Sequence, residues 1–177
     1  MATRSVSGLD CYRIFCGEAN REPMLFRHAT NDDLMIVASW IKSPRDCEFW
    51  AGHALTYPLQ LDTLAKDIDL SPETSFCVDD DQIFAFGQLI DKGNGRVHLA
   101  KIIVNPETRG CGIGKKLVAA LIGRAKEKSF SVIGLNVHPD NHLAINLYKK
   151  LGFELAERPA SLAAGRGSLY MSLVLQN

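Results

Sequence analysis

From residue 24 onward, short runs of β-branched and aromatic residues alternate with stretches whose apolar positions recur every three or four residues. That pattern predicts strands interleaved with helices. Residues 24–29 suit a first strand. Thr30, three residues before Asp33, then opens a helix over about 31–42 whose apolar face is Leu34, Ile36, Val37, Trp40 and Ile41. Ser43-Pro44 supplies a cap and a first-turn proline for a short helix closing at Gly52. Leu61, Leu64, Ala65 and Ile68 suggest another. Residues 75–78 and 83–90 read as a hairpin around the acidic turn Asp79-Asp80-Asp81, and Asn94-Gly95 turns the chain into a strand over 96–104. The remainder predicts a helix to about 128, a strand over 131–137, a helix closing at Leu151-Gly152, and strands over 153–157 and 169–175.

The most informative junction follows the 96–104 strand. Asn105-Pro106 ends it, three glycines fall within five residues (Gly110, Gly112, Gly114), and Ile113, Leu117, Val118, Leu121 and Ile122 then recur at helical spacing. A glycine-rich turn feeding a helix start brings backbone N–H groups and the positive end of the helix dipole to one place, a cradle for an anion such as phosphate. Two familiar phosphate motifs do not fit. A Walker loop begun at Gly110 needs its second glycine where Lys115 stands, and the dinucleotide fingerprint GxGxxG needs glycine at Lys115 or at Leu117.

What does fit is Arg109-Gly110-Cys111-Gly112-Ile113-Gly114, directly after a strand ending in Val104-Asn105-Pro106. It resembles the acetyl-CoA loop of the GNAT superfamily of N-acyltransferases. Downstream, Asn141, Ala144, Leu147, Tyr148, Gly152 and Phe153 match the superfamily's second signature, Asn-x-x-Ala-x-x-Leu-Tyr-x-x-x-Gly-Phe. The resemblance covers residues 83–155 and extends from 24 to the end. It implies an α/β (α+β) fold: one domain over 23–177, with a mixed central sheet of six or seven strands flanked by helices and splayed between the fourth and fifth. Residues 1–22 precede it as an N-terminal extension.

The resemblance also assigns roles. Ile102, Ile103 and Val104 would pair with the pantetheine arm, and a backbone amide at or near Val104 would stabilise the oxyanion. The pyrophosphate would rest on the amides from Gly110 to Lys115, including those of Cys111 and Ile113, with Arg109 and Lys115 adding charge. Asn141 and Asn146 match positions that hydrogen-bond the coenzyme, although Asn141 equally suits a helix cap. Tyr148 stands at the general acid. A phenol with a pKa near 10 is protonated at neutral pH and can donate to a leaving thiolate.

Where many relatives carry a glutamate base, this chain has His98, which at an ordinary pKa near 6.5 could take an ammonium proton directly or through water. Trp50, in the segment lining the acceptor pocket, and Asn136 are the acceptor-side candidates. Trp50's spacing also fits a core residue. Lys101 and Glu107 read as surface residues.

The reading that follows is an acetyl-CoA-dependent transfer to a primary amine of a small molecule by direct attack in a ternary complex. Its rivals are a protein N-terminal or lysine acetyltransferase and a non-catalytic acyl-CoA-binding sensor. Dimers are common among similar proteins, so a homodimer is expected by analogy.

Composition sets the outer bounds. At 177 residues one core is expected, and 20 Lys+Arg against 20 Asp+Glu give no basic footprint for nucleic acid. Five cysteines without a CxxC pair argue against a disulfide framework and a zinc site, so no metal is expected and a reducing cytoplasm is the expected home. No apolar run approaches the ~20 residues that span a bilayer, so no membrane partner is expected.

Overall fold

A computed structural model describes residues 24–80, 82–160, 162 and 167–176. The N-terminal extension, Asp81 of the acidic turn and the Gly165-Arg166 connection lie outside them. Seven strands form one sheet: β1 (Leu25–His28), β2 (Ser75–Asp80), β3 (Gln82–Gly93), β4 (Arg96–Val104), β5 (Val132–Val137), β6 (Glu154–Leu155) and β7 (Leu169–Val174), in the order β1-β2-β3-β4-β5-β7-β6. Every pairing is antiparallel except β4 with β5, which are linked by a helical crossover.

The helices are α1 (Asn31–Ser39), α2 (Pro44–Ala51), the single turn α3 (Leu64–Asp67), α4 (Ile113–Glu127) and α5 (His142–Lys150). Their ends follow from local chemistry. Thr30 and Asp33 close a reciprocal capping box on α1, and Arg27 clamps Asp33 with bonds of 2.7 and 2.9 Å, tying the helix start to β1. The Ser43 side chain caps α2, Pro44 occupies its first turn, and Gly52 ends it at φ 58°.

The two faces of the sheet carry separate cores. On one, Ile113, Leu117, Val118 and Leu121 of α4, with Tyr148 of α5, pack on Leu99, Leu135 and Met171. On the other, Val37 and Ala38 of α1 and Trp50 of α2 pack on Cys77, Phe86 and Ile103. Cys47 and Cys77 are free and buried, whereas Cys111 is disulfide-bonded, so the expectation of no disulfide is overturned. The odd cysteine count that argued against a framework left room for one such bond.

Two features of β4 shape the centre of the molecule. Its pairing with β5 stops at Leu99–Leu135 although both strands continue, which opens a cleft beside residues 100–104. Within that stretch Lys101 and Ile102 together face the single residue Gly87 of β3, a β-bulge in which Lys101 takes φ 51°. A Cβ at Gly87 would sit 2.6 Å from Ile102 Cδ1, so that side chain would have to move aside.

Candidate active site

On one side of the cleft the chain offers mainly backbone. After β4 a short 3-10 turn, Pro106–Thr108, is capped by the Asn105 side chain; the pattern of apolar residues gave no sign of it. Gly110 (φ 83°) and Gly112 (φ 79°) then take the left-handed conformation, with nothing among the described residues within 4 Å of the position a Cβ would occupy. Gly112 is the N-cap of α4 and has no side chain to bond the first-turn N–H groups. Among the described residues the loop carries no side-chain cap and stands at the positive end of a 15-residue helix, which suits a phosphate.

Gly114 has a different duty, since a Cβ would come 3.3 Å from Val104 and 3.4 Å from Leu147, so it lets α4 press against β4 and α5. Ile113 is buried, Cys111 is half-buried, Lys115 is exposed, and the exposed Arg109 donates from Nε to the Val104 carbonyl at 3.4 Å.

Tyr148 is 6 % exposed, with its ring edge-on to Phe153 at 5.8 Å. Burial raises its phenol above the ordinary range, which keeps the proton on at any physiological pH. Asn141 caps α5, its side chain accepting from the Ala144 N–H at 3.3 Å. Asn146 lies exposed on the same helix.

The other side of the cleft is built of side chains. His98 pairs with Gly134, Asn136 with Tyr170 and Gly134 with Ser172, so these residues share the face opposite α4. A Cβ at Gly134 would run into the Tyr170 ring, which lies over it and stacks with His98 at a 6.4 Å centroid separation. Arg158 sits 6.0 Å from the Tyr170 centroid. Its Nη2 donates to Asn136 Oδ1 (2.8 Å), Ser168 Oγ (3.0 Å) and the Ser168 carbonyl (3.3 Å).

This wiring decides the state of His98. A guanidinium only donates, so Arg158 fixes the amide oxygen of Asn136 and turns its NH2 toward His98 Nε2, 3.4 Å away. Nε2 therefore accepts and the ring proton belongs on Nδ1, a buried atom with no partner among the described residues. Burial, then the charges of Lys92, Arg158 and Lys101, push the imidazole down to about 4. His98 is consequently neutral at pH 7 and a weaker base than an ordinary histidine by about 3 kcal/mol of proton affinity.

One acceptor-side expectation and one surface expectation change. Trp50 is only 5 % exposed and donates from Nε1 to the Lys101 carbonyl at 2.8 Å, so it latches the bulge of β4 from beneath and offers no open face for stacking. Lys101, read as a surface residue, is half-buried at the bulge with its pKa lowered chiefly by burial and then by Lys92.

A family model for the acetyltransferase (GNAT) family matches residues 37–153, about two thirds of the chain. The chain belongs to that family. Spermine/spermidine N(1)-acetyltransferase of Bacillus subtilis is 28% identical over 139 residues, covering 76% of this chain and 82% of that protein. Peptidyl-lysine N-acetyltransferase YjaB of Escherichia coli is 34% identical over 61 residues, which cover 34% of this chain and span only 38% of that relative's length. A putative acetyltransferase from Salmonella typhimurium, solved with its cofactor acetyl-CoA, superposes with a TM-score of 0.64 at 18% identity over 88% of this chain and 96% of that one.

Within this GNAT fold the parallel β4–β5 pair and its early end are the splay that the resemblance implied. Arg158, Ser168 and Tyr170 had gone unnoticed, because they lie in a connection and a strand that carry no motif. Among the described residues no group of three or more His, Cys, Asp or Glu is placed to hold a metal, and no helix is long and apolar enough to cross a membrane.

Proposed function

We propose that this protein transfers an acetyl group from acetyl-CoA to a primary amine of a small molecule by direct attack in a ternary complex. The observation that carries the proposal is the cleft beside residues 100–104, which opens at one end onto the uncapped glycine loop at the start of α4. The amides of residues 110–115 would hold the pyrophosphate, and the unpaired edge of β4 would pair with the pantetheine. A β4 amide at or near Val104 would bind the oxyanion, and Tyr148 would give its proton to the departing thiolate.

His98 acts differently from the base first expected. Neutral and with its Nε2 tied to Asn136, it leaves the proton to be carried away by water. The Bacillus relative's printed name supports a small-amine acceptor. The name of the shorter Escherichia coli match favours peptidyl lysine as the second reading, and a non-catalytic sensor is the third.

The test is release of free CoA thiol from acetyl-CoA across small amines and lysine peptides, with acetyl-CoA binding followed by calorimetry. Turnover on small amines supports the proposal. Turnover on peptides alone transfers it to the second reading, and binding without turnover on either leaves a sensor.

A further inference from the structure

The helix α2 is seated on β4, where Trp50 holds the Lys101 carbonyl at 2.8 Å and packs in one core with Phe86 and Ile103. From that seat it also reaches the residues that directly follow β5. Arg45 Nη2 donates to Asp140 Oδ2 at 3.2 Å, and Glu48 Oε1 lies 3.8 Å from His138 Nε2. Because β4 and β5 part beyond the Leu99–Leu135 pair, a helix fixed to one strand and gripping the end of the other spans the cleft. It does so on the face opposite α4, which is the acceptor side.

The Arg45–Asp140 pair is more than half exposed at both ends, and alone it would hold little. Ring contacts add to the grip. The Arg45 guanidinium carbon lies 4.8 Å from the Phe49 ring centroid, and the Phe49 ring meets the His138 imidazole at 5.1 Å. His138 is oriented by its own loop, since Nδ1 accepts the Asp140 N–H at 3.2 Å. A neutral ring then carries its proton on Nε2, the nitrogen directed toward Glu48. Among the described residues neither buried core includes any of these five, so the half-buried Phe49 serves the crossing and not the packing of the sheet.

We infer that Arg45, Glu48, Phe49, His138 and Asp140 form a strap that limits the size of the acceptor, admitting an amine on a small molecule and excluding lysine within a peptide chain. This rests on the transfer reading above and deepens it. The ledge of His98, Asn136, Arg158, Ser168 and Tyr170 lies along the strands on the same face, and the strap crosses beyond it. A small amine needs an opening only as wide as itself. A peptidyl lysine brings backbone on both sides of its side chain and needs an uninterrupted groove. To reach the cleft it must part Arg45 from Asp140 and Phe49 from His138, and the loss of those contacts weakens its binding against that of the smaller acceptor. The strap acts through access and takes no part in the proton movements.

The experiment uses the full chain and two conjugates in which the CoA sulfur is joined through a CH2–CO bridge to the ε-nitrogen of lysine. One carries a single lysine with both ends capped, and the other carries the same lysine at the centre of a seven-residue peptide of glycine and alanine. They share the coenzyme and the acceptor side chain, so their difference in affinity, measured by calorimetry, reads only the flanking backbone. The peptide conjugate should bind about tenfold more weakly than the single-residue conjugate. Arg45→Ala, which removes the ion pair and the cation over the ring, should narrow the gap to about threefold or less with acetyl-CoA affinity unchanged. Phe49→Leu, which loses both ring contacts and keeps apolar volume, should narrow it as well. Arg45→Lys keeps a cation for both partners and should retain most of the gap.

A gap that narrows in Arg45→Ala or in Phe49→Leu supports the strap. Equal affinity for the two conjugates, tighter binding of the peptide conjugate, failure of both to bind, or a gap that survives both variants would overturn it. Thiol release from acetyl-CoA with any free amine keeps the transfer reading intact when the size limit fails. A clear gap between the conjugates with no thiol release from any amine separates the reverse case.

Discussion

The two sides of the cleft solve recognition in different materials. The donor side presents backbone: glycines at φ 83° and 79°, the N–H groups of an uncapped helix, and a strand edge with no strand partner among the described residues. The acceptor side presents side chains held by one another, from His98 through Asn136 and Arg158 to Ser168. Backbone recognition is indifferent to what is transferred and suits a ligand shared by a whole family. The packing of side chains on the second side also costs His98 its basicity.

The largest effect expected from that contrast is a pH dependence of stability confined to the acceptor side. His98 has a folded pKa of about 4 against an unfolded value near 6.5, so the unfolded chain binds the proton first as pH falls. Stability should be full above pH 6.5, decline as pH falls toward 4 and level off below it. The loss is about 3 kcal/mol for a shift of that size. His98→Gln should flatten this part of the profile in urea titrations, and an unchanged slope would show that another group titrates there.

On the donor side Gly112→Asp should weaken acetyl-CoA binding at least a hundredfold, or roughly 3 kcal/mol, because it places a side chain at φ 79° and a negative charge where phosphate should sit. Calorimetry that returns wild-type affinity would remove the loop from coenzyme binding. Tyr148→Phe should leave that affinity alone and lower turnover at least tenfold, since it deletes only the hydroxyl and keeps the ring against Phe153. Unchanged turnover would reassign Tyr148 to packing.

The same contrast explains what could be read in advance. The strands, the helices after them and the glycine loop follow from local rules of period, capping and positive φ, so the elements over residues 83–155 were legible to within a few residues at their ends, the 3-10 turn at 106–108 apart. The splay was implied only by resemblance, and its cause is pairing that ends at Leu99 while both strands run on. The acceptor ledge was illegible, because it joins residues 98, 136, 158, 168 and 170 through a β5–β7 register that no local pattern encodes. Lys101 was misread for a related reason. A bulge opposite Gly87 turns it from an exposed strand position into a half-buried one.

The smallest expected effect concerns the residue that joins the two sides. Trp50 rises from α2 to hold the carbonyl of Lys101, where β4 passes from the acceptor-side His98 to the donor-side Val104. Trp50→Phe keeps an aromatic ring beside Phe86 and deletes one neutral hydrogen bond to a buried acceptor, a cost of about 1 kcal/mol. If the bond only packs α2 on the sheet, the melting temperature should drop by a few degrees with kcat and both KM values unchanged. If it sets the path of β4 beyond the bulge, kcat should fall about fivefold while the affinity for acetyl-CoA, held by the glycine loop, stays the same. Trp50→His, which can restore a ring N–H donor, should then recover part of the loss, whereas an equal fall in both variants would assign the effect to lost volume.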